Sequence, residues 1–526
     1  MALAKFHCIH ASTPRKTFPY KWIVVTHVCS HWREVALSTP ELWTTIYLSY
    51  VKPEVLDVFL FRSKHALLRI DGDERGSVES AAAAFRPYIH ELARAETLFI
   101  TAPAEIYDTL AAHIPPSASH LRTLVLTGIF PGTAMPSLLK RLSTPSLTQL
   151  ILSQCSPDFV ENMFPASLRD LSISFAFGDH VGVDEAFPAL KNLSSLEELS
   201  ISESHQHDGG LRPSDPGTLQ LFFPRLRKLR LESTSLSAAR FLKHLSLPAS
   251  TAVSLFIQHE LAAADVLELV APLVEQLTTR IDPMDKREAV QLVKVAPGSV
   301  QFFTRSPAGF FSRPDLQVAS GRMSNPLGVL LRYLCPRLPL RQVTTLSLEG
   351  VSYDQPMAWK PFLRVLENVE QLNVDANSRG PRHSDIIGLI GSPFDPNAEK
   401  CEFPLPKLKR ITLRYVKFNS EADEVMQTFI AEYRSYAAVV ARRDALVDGL
   451  YMAVVARRDA GSCAVIEEIN IERCQNMNEY HVRALEKFVD TVKWDGLKYY
   501  EEGVEEDEVA HSESDEFEDD EDWYPA

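Results

Sequence analysis

The sequence lacks every short motif that marks the common classes of enzyme. It has no G-x-x-x-x-G-K-[ST] phosphate loop, no G-x-G-x-x-G dinucleotide motif, no H-E-x-x-H zinc motif and no G-x-S-x-G nucleophile turn. No other group of residues in the chain suggests catalysis. We therefore expect a protein that is not an enzyme and that needs no cofactor.

Cysteine is also scarce: the chain has seven, and no C-x-x-C pair argues for a zinc or disulfide framework. Scattered cysteines favour a reducing compartment, which is the cytoplasm or the nucleus. His205, His207 and Asp208 are candidate metal ligands, but the glycine pair at 209–210 favours a solvated loop there. We therefore expect no metal site.

Long apolar runs are missing as well. The N-terminal residues lack the basic-then-apolar order of a secretory signal. The most apolar stretch, residues 261–277, is interrupted by Asp265, Glu268, Pro272 and Glu275, which make it too polar to span a bilayer. We therefore expect no membrane partner.

Negative charge is concentrated at one end of the chain. Of the net charge of −15, fourteen Asp and Glu lie between Glu501 and Asp522, where there is no Lys or Arg, so the remaining residues carry only −1. Dense charge of one sign with few apolar residues predicts a disordered acidic tail over residues 497–526. A nearly neutral body argues against nucleic acid as a partner.

What the chain does contain is a repeated aliphatic pattern, L-x-x-L-x-L or a close variant. The first five copies start 26, 21, 28 and 30 residues apart. The nine copies are Leu121/Leu124/Leu126, Leu147/Leu150/Leu152, Leu168/Leu171/Ile173, Leu196/Leu199/Ile201, Leu226/Leu229/Leu231, Val343/Leu346/Leu348, Val369/Leu372/Val374, Leu408/Ile411/Leu413 and Ile466/Ile469/Ile471. Two copies extend to a cysteine, Cys155 and Cys474, for which we expect a buried packing role.

This pattern is typical of leucine-rich repeats, in which each unit buries its leucines only by stacking on its neighbours. It predicts an α/β solenoid over residues 51–496, with parallel strands on the concave face and helices outside. Residues 255–340 show no clear copy, so they are either degenerate repeats or an insertion. The octapeptide at 438–445 recurs at 453–460, which predicts a long helix over about 421–460, interrupted at Gly449.

Residues 1–50 predict a small all-α unit ahead of the repeats. Apolar residues at helical spacing form one stripe, which comprises Val28, Cys29, Trp32, Val35 and Ala36. A second helix is expected to start with Thr39 as its cap and Pro40 in its first turn, with Leu42, Trp43 and Ile46 on its apolar face. We expect both Trp32 and Trp43 to pack into the core of this unit.

These helices carry a family resemblance. Val28-Cys29-x-x-Trp32-Arg33 followed by Pro40-x-Leu42-Trp43 resembles the second and third helices of an F-box. With Phe18-Pro19-Tyr20-Lys21-Trp22 ahead of it, the segment is similar to the F-box-like leucine-rich-repeat proteins of mushroom-forming fungi. The family usually opens with a helix containing Leu-Pro-x-Glu, which is absent here, so the first F-box helix is expected to be truncated.

The resemblance implies the substrate-recognition adaptor of a cullin–RING ubiquitin ligase. The F-box would dock on the Skp-type linker, and the repeats would hold a protein substrate of unknown identity. The residues expected to bind the linker are Val25, Val28, Cys29, Trp32, Leu42 and Trp43, of which Val25, Val28 and Leu42 are expected to be partly exposed. The alternative is a non-catalytic leucine-rich-repeat scaffold without ligase docking, in which the same helices serve as a cap.

The repeats also predict a substrate-binding face. Side chains between the leucines alternate to the other side of the sheet, where they form one surface. Charged contacts set partner choice and encounter rate, which favours Lys228, Arg230 and Arg410 as substrate-binding residues.

Overall fold

The structure is a computed structural model in which two compact units are built on β-strands. It describes residues 20–48, 53–73, 86–113, 117–128, 136–155, 160–161, 163–175, 186–203, 220–248, 250–257, 269, 271–274, 290–296, 298–304, 314–320, 326–351, 356–376, 390–394, 402–416, 446–475 and 477–497. The first unit comprises Met1–Glu288 and Gly309–Pro326, and the second comprises Ala289–Ala308 and Leu327–Ala526. The acidic tail, the His205/His207/Asp208 group and the first copy of the octapeptide lie outside the described residues.

Strands and helices alternate along much of the described chain. The strands are β1 (Thr45–Tyr47), β2 (Leu68–Asp73), β3 (Ala95–Ala102), β4 (Thr123–Gly128), β5 (Gln149–Cys155), β6 (Asp170–Phe175), β7 (Glu198–Ser202), β8 (Leu221–Phe222), β9 (Lys228–Ser233), β10 (Leu245–Ser246), β11 (Ala252–Ile257), β12 (Leu292–Ala296), β13 (Ser299–Phe303), β14 (Leu316–Ser320), β15 (Thr345–Glu349), β16 (Gln371–Asp375), β17 (Arg410–Arg414), β18 (Glu468–Glu472) and β19 (Thr491–Trp494). The α-helices are α1 (Ser30–Ser38), α2 (Pro53–Ser63), α3 (Ala104–His113), α4 (Pro136–Arg141), α5 (Phe187–Leu190), α6 (Ser235–Lys243), α7 (Pro326–Val329), α8 (Pro356–Val365), α9 (Leu446–Ala460) and α10 (Glu479–Leu485). Short 3₁₀ segments cover Lys21–His27, Pro40–Trp43, Arg86–Arg94 and Cys335–Arg337, and a π-helical turn covers Leu330–Leu334.

The first unit holds a parallel ladder that largely follows chain order. Its described strands pair in the order β1-β2-β3-β4-β5-β6-β7-β9-β11-β14. Strands β8 and β10 form a separate parallel pair. Because sequential parallel strands need a crossover between them, helices such as α3 and α6 return the chain to the start of the next strand.

The second unit repeats this arrangement with one antiparallel pair. Its described strands pair in the order β13-β12-β15-β16-β17-β18-β19, and only β12 and β13 run antiparallel. Residues 255–340 therefore supply β14, which pairs with β11 in the first unit, and the β12–β13 hairpin, whose first strand pairs with β15. The segment combines degenerate ladder strands with a hairpin.

All nine copies of the repeat pattern form strands of the two ladders, which confirms that prediction. Their apolar positions are at most 3% exposed in every copy. Cys155 and Cys474 are fully buried, as expected, and the Cys474 thiol lies 3.5 Å from the carbonyl oxygens of Leu413 and Glu472. Burial raises the pKa of the Cys474 thiol to about 12, so it remains a neutral packing group.

Two predictions about local structure are wrong. The N-terminal unit is not all-α, because β1 lies within it and pairs in parallel with β2 at Ile46 and Ile70. Threonine, isoleucine and tyrosine favour a strand, and Ile46 is buried there instead of on a helix. Helix α9 continues through Gly449, because burial of Leu450, Ala453 and Val454 outweighs the roughly 1 kcal/mol cost of an interior glycine.

Gly391 lies close to Ala453 of α9 in the second unit. A Cβ atom added there would lie 2.4 Å from Cα of Ala453 and 2.5 Å from its Cβ. We expect Gly391→Ala to destabilise the second unit by about 1–3 kcal/mol because backbone must move. Thermal unfolding measures the loss, and Gly461→Ala, which has open space but a φ of +61°, shows separately what backbone strain alone costs. A Gly391→Ala variant as stable as the unchanged protein would contradict the packing argument.

Candidate partner-binding surfaces

Trp43 is the centre of the N-terminal helical segment. It is 3% exposed, and its ring makes edge contacts with Trp22 at 4.9 Å and with Phe59 of α2 at 5.1 Å. Its indole N–H donates to the carbonyl oxygen of Ala36 at 2.9 Å. The prediction that Trp43 packs into a core is therefore confirmed, and its side chain is not available as a surface group.

Tyr20 contacts both this core and the sheet. Its ring lies 5.0 Å from Phe59, and its hydroxyl oxygen accepts a hydrogen bond from the backbone N–H of Tyr47 in β1 at 2.7 Å. Burial raises the pKa of the Tyr20 phenol to about 12. The phenol is therefore neutral at physiological pH, and the helical segment is joined to the first strand of the ladder.

Trp32 lies on the surface, which contradicts the prediction that it packs into the core. Its side chain is 52% exposed, and only Ala36 of α1 is buried. The aromatic rings of Tyr20, Trp43 and Phe59 already fill the interior, so the apolar stripe of α1 has no core to enter. Helical spacing shows that a stripe exists, but not what covers it.

The ends of the short helices also differ from the prediction. Thr39 occupies the cap position before Pro40, as expected. Its hydroxyl donates to the carbonyl oxygen of Val35 at 2.7 Å, however, and makes no cap hydrogen bond to the 3₁₀ segment Pro40–Trp43. Cys29 takes a cap role instead: its sulfur accepts from the backbone N–H of Trp32 at 3.5 Å. The exposed Cys29 side chain therefore helps to start α1.

Large apolar side chains are exposed along this helical segment. We define the N-terminal apolar patch as Val24, Val25, Val28, Trp32, Val35 and Leu42, whose exposed fractions lie between 36% and 66%. Trp32 and Val35 are spaced at i and i+3 within α1, which places them along one helical face, and Val28 lies just before the extended Cys29 that starts this helix. The sequence analysis listed Val25, Val28, Trp32 and Leu42 among the linker-binding residues but missed Val24 and Val35. The 3₁₀ segment Lys21–His27, which has no helical apolar period, gave no signal for Val24.

A second surface is the open face of each ladder, by which we mean the side opposite the buried leucines. Lys228 and Arg230 lie on this face of β9, and Lys228 forms an ion pair with Glu198 of β7. Arg230 lies 3.9 Å from Glu232 and 5.6 Å from the ring centre of Phe256. Lys228 is thus largely neutralised, while the Arg230 side chain is 46% exposed.

Arg410 belongs to a different unit from Lys228 and Arg230. It lies on β17 of the second unit, directly across from Glu468 of β18. A hydrogen bond from Lys493 and the nearby charge of Arg410 lower the pKa of Glu468. The three predicted substrate-binding residues therefore do not belong to one cluster within a unit.

Metal-binding groups and membrane-spanning helices are absent from the described part of the chain. No group of His, Cys, Asp and Glu among them is arranged to hold a metal ion. None of the helices assigned in these residues is long and apolar enough to cross a membrane.

A parallel ladder that buries all three apolar positions of L-x-x-L-x-L is the architecture of leucine-rich repeats, and the chain has this α/β repeat fold. No protein-family model matches the chain, and no curated protein matches it. Among solved structures, it is similar to the leucine-rich repeat-containing protein LegL7 from Legionella pneumophila, at 13% identity and a TM-score of 0.25. That match covers 62% of this chain and 82% of the LegL7 chain. The fold assignment rests on the strand registers and the buried leucines.

Proposed function

We propose that this protein is a non-catalytic adaptor. Its N-terminal apolar patch docks on the Skp-type linker of a cullin–RING ubiquitin ligase, and its repeat sheet binds a protein substrate. The F-box-like residues Val28-Cys29-x-x-Trp32-Arg33 and Pro40-x-Leu42-Trp43 support the identity of the partner. A repeat architecture without a metal cluster in its described part fits a protein whose work is recognition.

The observation that carries this proposal is the poor burial of α1. This helix has nine residues and buries only Ala36 against the rest of the protein. An isolated helix of such a length is marginally stable in water, and helices in proteins are held by packing of their apolar face. Trp32 and Val35 form the face that packing against a partner would cover. Tryptophan is also enriched among the residues that dominate interface energies.

The expected energetic contribution of the patch is large enough to matter. Covering a side chain such as Val28 or Trp32 stabilises a complex by about 1.5–3 kcal/mol, less what each already buries in the free protein. Two such groups correspond to roughly 100-fold in affinity, because each 1.4 kcal/mol is a factor of ten. Replacement by aspartate removes this gain and places a charge in an apolar interface.

We expect the double variant Val28→Asp/Trp32→Asp to bind a purified Skp-type linker about 100-fold more weakly than the unchanged protein. Biolayer interferometry with immobilised linker measures the difference. The matched control is Phe61→Asp, which changes an 83% exposed apolar residue on α2, outside the patch. Because all three residues are exposed, the thermal midpoints should agree. If the folded, unchanged protein binds no linker, the adaptor proposal is wrong.

The alternative is a repeat scaffold in which the N-terminal helices only cap the ladder. The position of β1 favours it, because β1 pairs with β2 and covers an edge that would otherwise expose unpaired backbone groups. In that case the patch is not needed for ligase docking, and the double variant binds the linker no differently from the control. Linker binding that depends on Val28 and Trp32 separates the two functions.

A further inference from the structure

One row of side chains crosses the open face of the first unit in continuous register. Each member lies directly opposite the next on the neighbouring strand, from β2 to β9. The row consists of Asp71, Phe99, Val125, Ile151, Ser172, Ser200 and Arg230. Its composition changes along its length from acidic to apolar, then to hydroxyl and finally to cationic.

The apolar part of the row is Phe99, Val125 and Ile151, on β3, β4 and β5. Strand alternation places Val125 on the face opposite Leu124 and Leu126, which are buried in the core. Val125 is only 6% exposed, whereas Phe99 and Ile151 on either side are partly exposed. Three adjacent strands thus carry an apolar strip, in which Phe99 and Ile151 supply the accessible surface, where a purely solvated face would carry polar groups.

On the next two strands the members of the row are small hydroxyl side chains. Asp170 and Glu198 lie at the start of the same face, where Asp170 accepts from the Gln149 amide and Glu198 pairs with Lys228. Ser172 and Ser174 lie on β6, and Ser200 and Ser202 lie on β7, with each pair in register across the strands. Short side chains leave a shallow trough between the larger groups of β5 and those of β9. With strands about 4.8 Å apart, the trough from Ile151 to Arg230 is about 14 Å wide.

Arg230 closes the far side of the trough. Its guanidinium stacks near the ring of Phe256 and approaches Glu232 only to 3.9 Å, which is long for a hydrogen-bonded ion pair. A carboxylate supplied from the trough side can therefore make the short bidentate contact that Glu232 does not. The row offers an apolar strip and, about 14 Å away, a cation.

We infer that this row binds an extended segment of the substrate that carries a hydrophobic cluster and, about four residues from it, an acidic side chain. The inference deepens the proposed function, on which it rests, by specifying the kind of substrate segment. An extended chain advances about 3.4 Å per residue, so four residues span the 14 Å trough. The hydrophobic cluster covers Phe99, Val125 and Ile151, and the carboxylate pairs with Arg230.

Peptide selection tests this specificity directly. Random dodecapeptides displayed on phage are selected against the full-length protein and against its Ile151→Lys, Arg230→Glu and Arg410→Glu variants. We expect the unchanged protein to enrich peptides with a hydrophobic cluster and an acid about four residues away. Arg230→Glu should exchange that acid for Lys or Arg, and Ile151→Lys should abolish the hydrophobic preference. Arg410→Glu, a matched reversal on the second unit, should select the same peptides as the unchanged protein.

Several outcomes would overturn the inference. It is wrong if no peptide is enriched, if the acid preference survives Arg230→Glu, or if it is lost in Arg410→Glu instead. Circular dichroism must show that each variant is folded, which we expect because Ile151 and Arg230 project away from the core.

Linker binding measured on the same variants separates this inference from the proposed function. Binding of the linker without peptide enrichment contradicts the inference alone. Enrichment of the expected peptides without linker binding contradicts the ligase adaptor alone.

Discussion

Trp43→Ala is expected to lower the free energy of unfolding of the first unit by about 3–5 kcal/mol. Trp43 is 3% exposed and contacts Trp22, Phe59 and the guanidinium of Arg62, which lies 4.4 Å from the ring centre. Alanine leaves a cavity among these groups. It also leaves the carbonyl oxygen of Ala36 without the indole N–H that now donates to it.

Hydrogen exchange read by mass spectrometry is the suitable measurement, because a chain of two units need not unfold in one step. Peptides covering residues 20–48 should lose protection in Trp43→Ala. The control is Trp32→Ala, which removes the same side chain from a site that is 52% exposed and should change stability by no more than about 0.5 kcal/mol. Similar losses in both variants would mean that Trp32 shares the core.

The contrast between these tryptophans shows what the sequence predicts and what it does not. Both lie in amphipathic patterns beside other apolar residues, and pattern alone placed both in a core. The difference arises from volume: the rings of Tyr20, Trp43 and Phe59 fill the space beneath α1, and Phe59 comes from a helix beyond the predicted unit. Helical periodicity identifies a face, whereas tertiary packing decides what covers it.

The ladder strands were predictable because the signals that specify them are local. Their period of two and the recurring aliphatic triplets act locally, and every copy meets the same environment in its neighbours. Strand β1 has no such triplet, and it forms because its residues find β2 as a partner. The pairing of β11 with β14 likewise joins segments that are far apart in sequence. The sequence pattern therefore did not predict the structure of residues 255–340.

The candidate surfaces were predictable only in part. Strand alternation placed the side chains between the leucines, Arg230 among them, on the open face correctly. It did not show that Lys228 forms an ion pair with Glu198, because the pairing depends on the register between strands 30 residues apart. The prediction of substrate-binding residues considered only charge, so it also missed the apolar strip beside these residues.

Arg457 gave no sequence signal at all, although it is one of the largest fully buried side chains in the described structure. It lies on α9 within the second octapeptide copy, next to Arg458. Its guanidinium donates to the carbonyl oxygens of Pro404 and Leu405, both at 2.7 Å, and of Ile390 at 3.3 Å. Burial lowers the pKa of Arg457 below its ordinary value, and the interaction with Cys463 acts in the opposite direction.

We expect Arg457→Ala to destabilise the second unit by about 3 kcal/mol or more. The substitution leaves buried carbonyl oxygens without donors, at about 1–3 kcal/mol for each, and it opens a cavity. Because the alanine variant no longer buries a cation, it regains the free energy that this burial costs. This gain limits the total loss of stability. The stability of Arg457→Lys should lie between that of the unchanged protein and that of Arg457→Ala. A lysine ammonium lacks the planar fork that reaches several carbonyl oxygens at once.

The neighbouring arginine provides the control. Arg458 is exposed, and its contacts are a 3.4 Å hydrogen bond to the carbonyl oxygen of Lys487 and a stacking distance of 5.6 Å to Phe488. Arg458→Ala should therefore cost no more than about 1 kcal/mol. Hydrogen exchange in peptides covering residues 402–416 and 446–460 measures both variants, since these segments contain the carbonyl groups of Pro404 and Leu405 and the whole of α9. Equal protection in Arg457→Ala and Arg458→Ala would show that the buried guanidinium does not hold α9 in place.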